Sequence, residues 1–280
     1  MKSIFTPLKA GIVLMWSFAS FTLFAQHHKQ NVDSIAMRDS VRDFLYQGTL
    51  FSMNALQSKY ESERATSIEV KHQKSVEAQN LFYQARISYR KVIKLDSNNY
   101  TAWSNIGTTY LLEGLPKEAK YCFRQAVQIN PGYSPAWFNL GKVYSEGSGN
   151  DSAELAFSMA IRNDSGYTQA YQEWSNLIMK SKKDTARALS LLRISAVHTP
   201  QSEVPWVNMS EIFFQSGDSV SGLHALEHAA AIYPGDVDRL KLLVDYYGRH
   251  NDEKKKNYYS AILAVELKKL EVPKDEHPEQ

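Results

Sequence analysis

The sequence contains one cysteine, Cys122, among 280 residues. No disulfide can form within the chain, so whatever the redox compartment, packing must hold the fold together. Excess charge is also lacking: 32 Lys and Arg face 30 Asp and Glu, and the surplus is Lys2 and Lys9, because residues 1–25 hold no acid. A balanced chain lacks the basic footprint of a nucleic-acid binder. Long apolar runs are missing as well. The longest weakly charged stretch, Ala10–Ala25 (AGIVLMWSFASFTLFA), is shorter than the roughly 20 apolar residues of a membrane-spanning helix. There is no Gly-rich phosphate loop, no nucleophile elbow and no spaced set of metal ligands, so neither a cofactor nor an enzyme is expected. What the chain has is apolar and aromatic mass, 43% and 12%, which excludes a disordered type.

The first 25 residues stand apart. Two lysines, a short apolar middle and a small residue before QHHKQ have the form of a secretory signal peptide cut after Ala25. Leu23 at the −3 position is not small, and an uncleaved anchor is the alternative. No cysteine ends the leader, which excludes a lipid-anchored lipoprotein. Export would place the protein in the periplasm or cell envelope of a Gram-negative bacterium, with no membrane span in the mature chain.

Beyond the leader the chain repeats itself. AWSNIGTTY begins at Ala102 and AWFNLGKVY at Ala136, with Trp103 and Trp137 34 residues apart. With Tyr100 as position 1, position 4 is Trp103, Trp137, Tyr171 and, after one inserted residue near KSKKD, Trp206. Position 7 is Ile106, Leu140, Trp174 and Met209, and position 8 is Gly107, Gly141, Ser175 and Ser210. Position 11 is Tyr110, Tyr144, Ile178 and Phe213. Position 20 is Ala119, Ala153, Ala188 and Gly222; position 24 is Phe123, Phe157, Leu192 and Leu226. Position 27 is Ala126, Ala160, Ser195 and Ala229, and position 32 is Pro131, Ser165, Pro200 and Pro234. Positions 4, 7 and 11 share one helical face, and so do 20, 24 and 27. Bulky residues would fill the space between helices, small ones would let backbones approach, and the proline would stop the second helix.

These residues resemble the tetratricopeptide repeat (TPR) family, whose 34-residue unit is a helix–turn–helix. The resemblance implies an all-α, right-handed superhelical solenoid with units at 100–133, 134–167, 168–202 (degenerate, one insertion) and 203–236. Trp174, Ser165 and the insertion depart from the pattern, so the third unit is expected to pack least regularly. Residues 79–99 read as the second helix of a partial repeat. VRDFLYQGTLFSMNALQ, within a helical or irregular region 26–78, would supply its partner across a longer connection. Residues 237–270 read as a degenerate pair that caps the stack with a polar outer side. QHHKQN after the leader and the tail 271–280 are expected to be disordered.

The resemblance further implies a scaffold, not an enzyme, that binds a peptide or partner helix along its concave face. The family's groove positions correspond here to Ser104, Asn105, Thr108, Phe138, Asn139, Lys142, Asn176, Asn208 and Glu211. Asn recurs at position 6 as Asn105, Asn139 and Asn208, with Glu173 interrupting. Such amides could pair with an extended ligand's backbone; equally, Asn is a common choice at that position. The family's carboxylate clamp is poorly matched, since Ser104 and Phe138 stand where it has Lys. Self-association through the open end units is a further possibility.

Two motifs admit sharper readings. HALEH, His224–His228, matches the H-x-x-E-H pattern of some zinc peptidases, with Glu227 as general base, and supports an alternative metal-binding or enzyme-associated module. Its place opposite Leu226 favours a solvent-facing pair instead. The triplets at Asp151, Asp184 and Asp218 precede second helices and read as caps. With those at Asp33 and Asp39, they also resemble a bacterial O-glycosylation sequon. Cys122 reads as a packing residue.

Overall fold

In the computed structural model, which describes residues 8–147 and 149–271, twelve helices follow one another and no strand occurs among the described residues. They are α1 (Leu8–Arg64), α2 (Ile68–Leu95), α3 (Tyr100–Leu112), α4 (Pro116–Ile129), α5 (Ser134–Glu146) and α6 (Asn150–Asn163). The remainder are α7 (Thr168–Lys182), α8 (Thr185–His198), α9 (Val204–Gln215), α10 (Ser219–Ile232), α11 (Val237–Arg249) and α12 (Glu253–Glu271). The chain divides into two compact units at Ile129/Asn130. Odd-numbered helices pack on the even-numbered helices that follow them, as antiparallel pairs.

The repeat positions carry this packing. Ala119, Phe123 and Ala126 of α4, and Ala153, Phe157 and Ala160 of α6, are fully buried. The small residue at position 8 is required by the ring at position 24. A Cβ on Gly107 would lie 2.7 Å from Cε1 of Phe123, and one on Gly141 2.5 Å from Cδ1 of Phe157. Each ring thus occupies the space that a side chain on the facing helix would take, and the two backbones close around it.

Local signals set the ends. Asp184 accepts a hydrogen bond from the Arg187 amide and Asp218 from that of Ser221, both at 3.0 Å. Asp151 behaves differently: α6 begins at Asn150, so Asp151 lies in its first turn and Gly149 is the N-cap. The missing proline of Ser165 does not lengthen α6. Asp164 Oδ1 accepts from the Gly166 amide at 2.9 Å, as Asn130 Oδ1 accepts from Gly132 at 3.0 Å, and this local turn stops the helix in either case. The turns within pairs pass through the left-handed region at Gly114, Gly217, Lys183 and Asn251. The inserted residue of the third unit lengthens α7 to 15 residues against 13 in α3 and α5, and leaves Lys183 at φ 52°.

The N-terminal pair departs most from the sequence reading. Residues 26–31, expected to be disordered, lie within α1. No Gly or Pro interrupts the chain from Ile12 to Gln47, so nothing breaks that helix. The connection expected between the partner segment and residues 79–99 is itself helical, and only residues 65–67 separate α1 from α2. The pair nevertheless obeys the rule of the others: a Cβ on Gly48 would lie 2.5 Å from Cε1 of Tyr89. Gly48 and Tyr89 therefore play position 8 and position 24 in a pair whose two helices are both extended. Val41, Phe44, Leu45 and Phe51 of α1 join the same cluster as Ala85, Tyr89 and Val92.

At the other end Leu240, Leu243 and Tyr247 are buried against α12 through Tyr259. The outer side of α12 is not wholly polar, since it exposes Tyr258, Val265 and Leu270 among its lysines. Of the tail 271–280, expected to be disordered, Glu271 ends α12, and residues 272–280 lie outside the described residues.

Candidate interaction face

Within residues 130–271 the first helices of successive pairs touch directly, α5 with α7 and α7 with α9. The second helices α6, α8 and α10 show no comparable contact with one another. The first helices therefore crowd together on the inner side of a curve, and their outward positions form one continuous face. Asn139 and Lys142 are half-buried on this face, and Asn176 and Glu211 are exposed. Phe138 is tied into packing instead: its ring lies 6.1 Å from Phe157 and 5.2 Å from Tyr167, with Lys142 Nζ 5.8 Å above it.

Two of the nine expected contacts are not available. Ser104 is only 3% exposed, and Asn208 is 6% exposed with its Nδ2 lacking a hydrogen-bond partner. The series of amides, already interrupted by Glu173, is thereby closed off at the fourth unit as well: the position is kept, but the side chain is enclosed. Asn105 and Thr108, on α3, are half-buried, and the Thr108 hydroxyl donates to the Ser104 carbonyl at 3.1 Å.

Ion clusters that the sequence did not disclose staple consecutive pairs. Arg86 of α2 pairs with Glu113 at the end of α3. In the other unit, Glu154 of α6, 11% exposed at its side chain, receives Lys182 Nζ and Arg187 Nη2 at 2.6 Å each. Trp174 Nε1 donates to the same carboxylate at 3.3 Å, which explains a bulky ring at position 7 of the third unit. Burial alone would raise the Glu154 carboxyl, but the hydrogen bonds from Lys182, Arg187 and Trp174 hold it below the ordinary range.

The H-x-x-E-H residues are committed elsewhere. Glu227 accepts from the Tyr247 hydroxyl at 2.6 Å and from Lys255 Nζ at 2.7 Å, joining α10 to α11 and α12. Burial opposes its charge, yet Lys255 and Tyr247 outweigh this and keep it a carboxylate, the wrong tuning for a general base. His228 stacks on Trp206 at 4.3 Å, and His224 Nδ1 sits 3.3 Å from Glu227. Among the described residues no three metal-ligating side chains come together. No described helix is long and apolar enough to cross a membrane. Cys122 is 3% exposed, and burial pushes its thiol up to about 11.

Along α1, Tyr46, Leu50, Met53 and Tyr60 are exposed at near-heptad spacing, opposite the Gly48 face that meets α2.

Comparison with known proteins agrees with this geometry. The tetratricopeptide repeat profile matches residues 100–133. No curated protein matches the chain. Among solved structures, PilF of Pseudomonas aeruginosa is similar over 84% of this chain and 94% of its own, with 15% identity and a TM-score of 0.57. YrrB, described as a TPR protein with an unusual peptide-binding site, is 20% identical over 67% of this chain and 96% of its own, with a TM-score of 0.45. MamA is 20% identical over 60% of this chain and 95% of its own, with a TM-score of 0.47. The first of these shows the fold, and the matched repeat lies where that fold places α3 and α4. Residues 100–133 thus match a tetratricopeptide repeat, and the described residues have the all-α solenoid fold of such proteins.

Proposed function

We propose that the protein is an exported, non-enzymatic scaffold that docks an extended peptide or partner helix along the face of its first helices. The observation that carries this reading is the crowding of α5, α7 and α9 into one polar-lined inner face. Asn139, Lys142, Asn176 and Glu211 offer donors and acceptors there, which suit a ligand held by its backbone more than by one deep anchor. The lysine-flanked, short apolar leader supports export.

Both parts are testable in one preparation, made with the leader in a Gram-negative host. Intact mass is expected to place the mature N-terminus at Gln26, and a chain still carrying residues 1–25 would refute cleavage. Photo-crosslinking side chains at positions 139 and 176 should each yield the same discrete adduct. The same groups at Leu155 and Val197, exposed on the second helices, should not. Adducts formed equally from both sets would refute the face assignment.

The seam on α1 favours a second mode, pairing of two copies through their end helices. Gel filtration is then expected to show a dimer that Met53→Lys converts to a monomer. A wild-type chain eluting as a monomer at every concentration would contradict it.

A further inference from the structure

A cavity of about 560 Å³ opens in the N-terminal unit between α2, α3 and α4. Its floor is Ile106 and Cys122, each 3% exposed, and its walls are Ile93, Trp103, Tyr110 and Tyr121. Trp103 and Tyr121 meet edge to face with centroids 6.0 Å apart. Trp103, Ile106 and Tyr110 lie on one side of α3, and Asn105 and Thr108 lie nearly opposite at 100° per residue. The cavity therefore opens toward α2 and α4 and not on the side of α3 that carries Asn105. Its size is that of a ligand site, and its lining is mainly apolar with few polar groups.

The rim has a marked sign of charge. Arg90 and Lys117 border the cavity, and Glu118 is the carboxylate among its lining residues. Arg90 Nη2 donates to the Tyr110 hydroxyl at 2.9 Å, so its guanidinium is fixed at the edge. A second depression shares Arg90 and adds Lys91 and Lys94. On α4 the exposed Arg124 continues the series. Two further acids of this unit are engaged in pairs or turns of their own. Glu113 pairs with Arg86, and Asp96 accepts from Asn98 and Asn99 in its own turn. Burial keeps the Cys122 thiol protonated, so the floor is uncharged.

We propose that this cavity docks an acidic peptide segment through one aromatic side chain, with flanking carboxylates meeting Arg90, Lys91, Lys94 and Lys117. Two walls already set edge to face accept a third ring without repacking. The cations around them would raise the on-rate and reject basic sequences. This site stands or falls independently of the first-helix face.

The probe is a synthetic peptide of alternating Asp and Glu around a central Phe, titrated by fluorescence anisotropy. Binding should weaken about tenfold or more when the Phe is replaced by Ala, or when the protein carries Tyr121→Ala or Lys117→Glu. Both protein sites are exposed, and unchanged thermal melts would show that the variants fold. Rising salt should weaken binding, and a Lys/Arg version of the peptide should not bind. Asn105→Ala, on the opposite side of α3, should leave the affinity unchanged. Equal binding of the Phe and Ala peptides, no binding of either, or equal weakening by Asn105→Ala would each overturn the assignment.

Discussion

Gly141→Ala is expected to lower stability by about 2 kcal/mol, although the same exchange inside an ordinary helix raises it by up to about 1 kcal/mol. The added methyl would stand 2.5 Å from both Cδ1 and Cε1 of Phe157, and 2.9 Å from Cζ. Phe157 is fully buried in a cluster with Phe138, Tyr144, Trp174 and Leu177, so the ring has little room to move. Overpacking of this kind costs about 1–3 kcal/mol, and contact over a ring edge belongs at the upper end. Subtracting the gain in helix propensity leaves the stated net loss. Equilibrium urea unfolding reads it directly. Combining Gly141→Ala with Phe157→Leu should cost less than the two single changes added, because the smaller side chain gives the methyl room. A stabilised Gly141→Ala variant would mean that α5 and α6 do not approach as described.

The second large effect belongs to Glu154. Replacing it by Ala is expected to cost about 3 kcal/mol, because a nearly buried carboxylate receives two cations and an indole N–H. Lys182 and Arg187 are each more than 40% exposed, so water recovers part of the loss on their side, which keeps the figure at the lower end for a buried cluster. The pH dependence has a definite sign. The folded-state pKa of Glu154 lies below its unfolded value of about 4.3, so the contribution is complete above that pH and is lost as pH falls through the folded value. Wild type should therefore lose stability on acidification more steeply than Glu154→Gln, with the curves running parallel above about pH 5. Parallel curves throughout the acid range would show that the carboxylate is not held in this way.

The repeating part of the molecule was readable because its rule is local. Bulky, small and apolar residues recur at fixed offsets, and the helices that follow have the ends that Asp184 and Asp218 specify as caps. The N-terminal pair was harder to read because its rule is stretched. Gly107 and Phe123, like Gly141 and Phe157, are 16 residues apart, whereas Gly48 and Tyr89 are 41 apart. A fixed-period comparison cannot see that spacing, although DFLYQGTLF holds a usable signal: a glycine following aromatic residues at helical spacing. The interaction face was only partly legible. Position 6 places Asn139 and Asn208 equivalently, but depth of burial depends on the neighbouring helices, and Asn208 is enclosed where Asn139 is not. The ion clusters were out of reach for a related reason. Glu154 meets partners 28 and 33 residues away, and no local pattern announces them. The same holds for Glu227, whose motif spelling suggested metal chemistry and whose carboxylate instead ties the last pair to the stack.

The central claim is that one contact, a position-24 ring over a position-8 glycine, builds the pairs α1–α2, α3–α4 and α5–α6 alike. Nuclear Overhauser spectra of protein labelled in its glycines, phenylalanines and tyrosines test it most directly. Cross-peaks are predicted from the Hα protons of Gly48 to the Tyr89 ring, of Gly107 to the Phe123 ring, and of Gly141 to the Phe157 ring. Gly48 showing no contact with Tyr89, or Gly107 and Gly141 facing any other rings, would contradict the account.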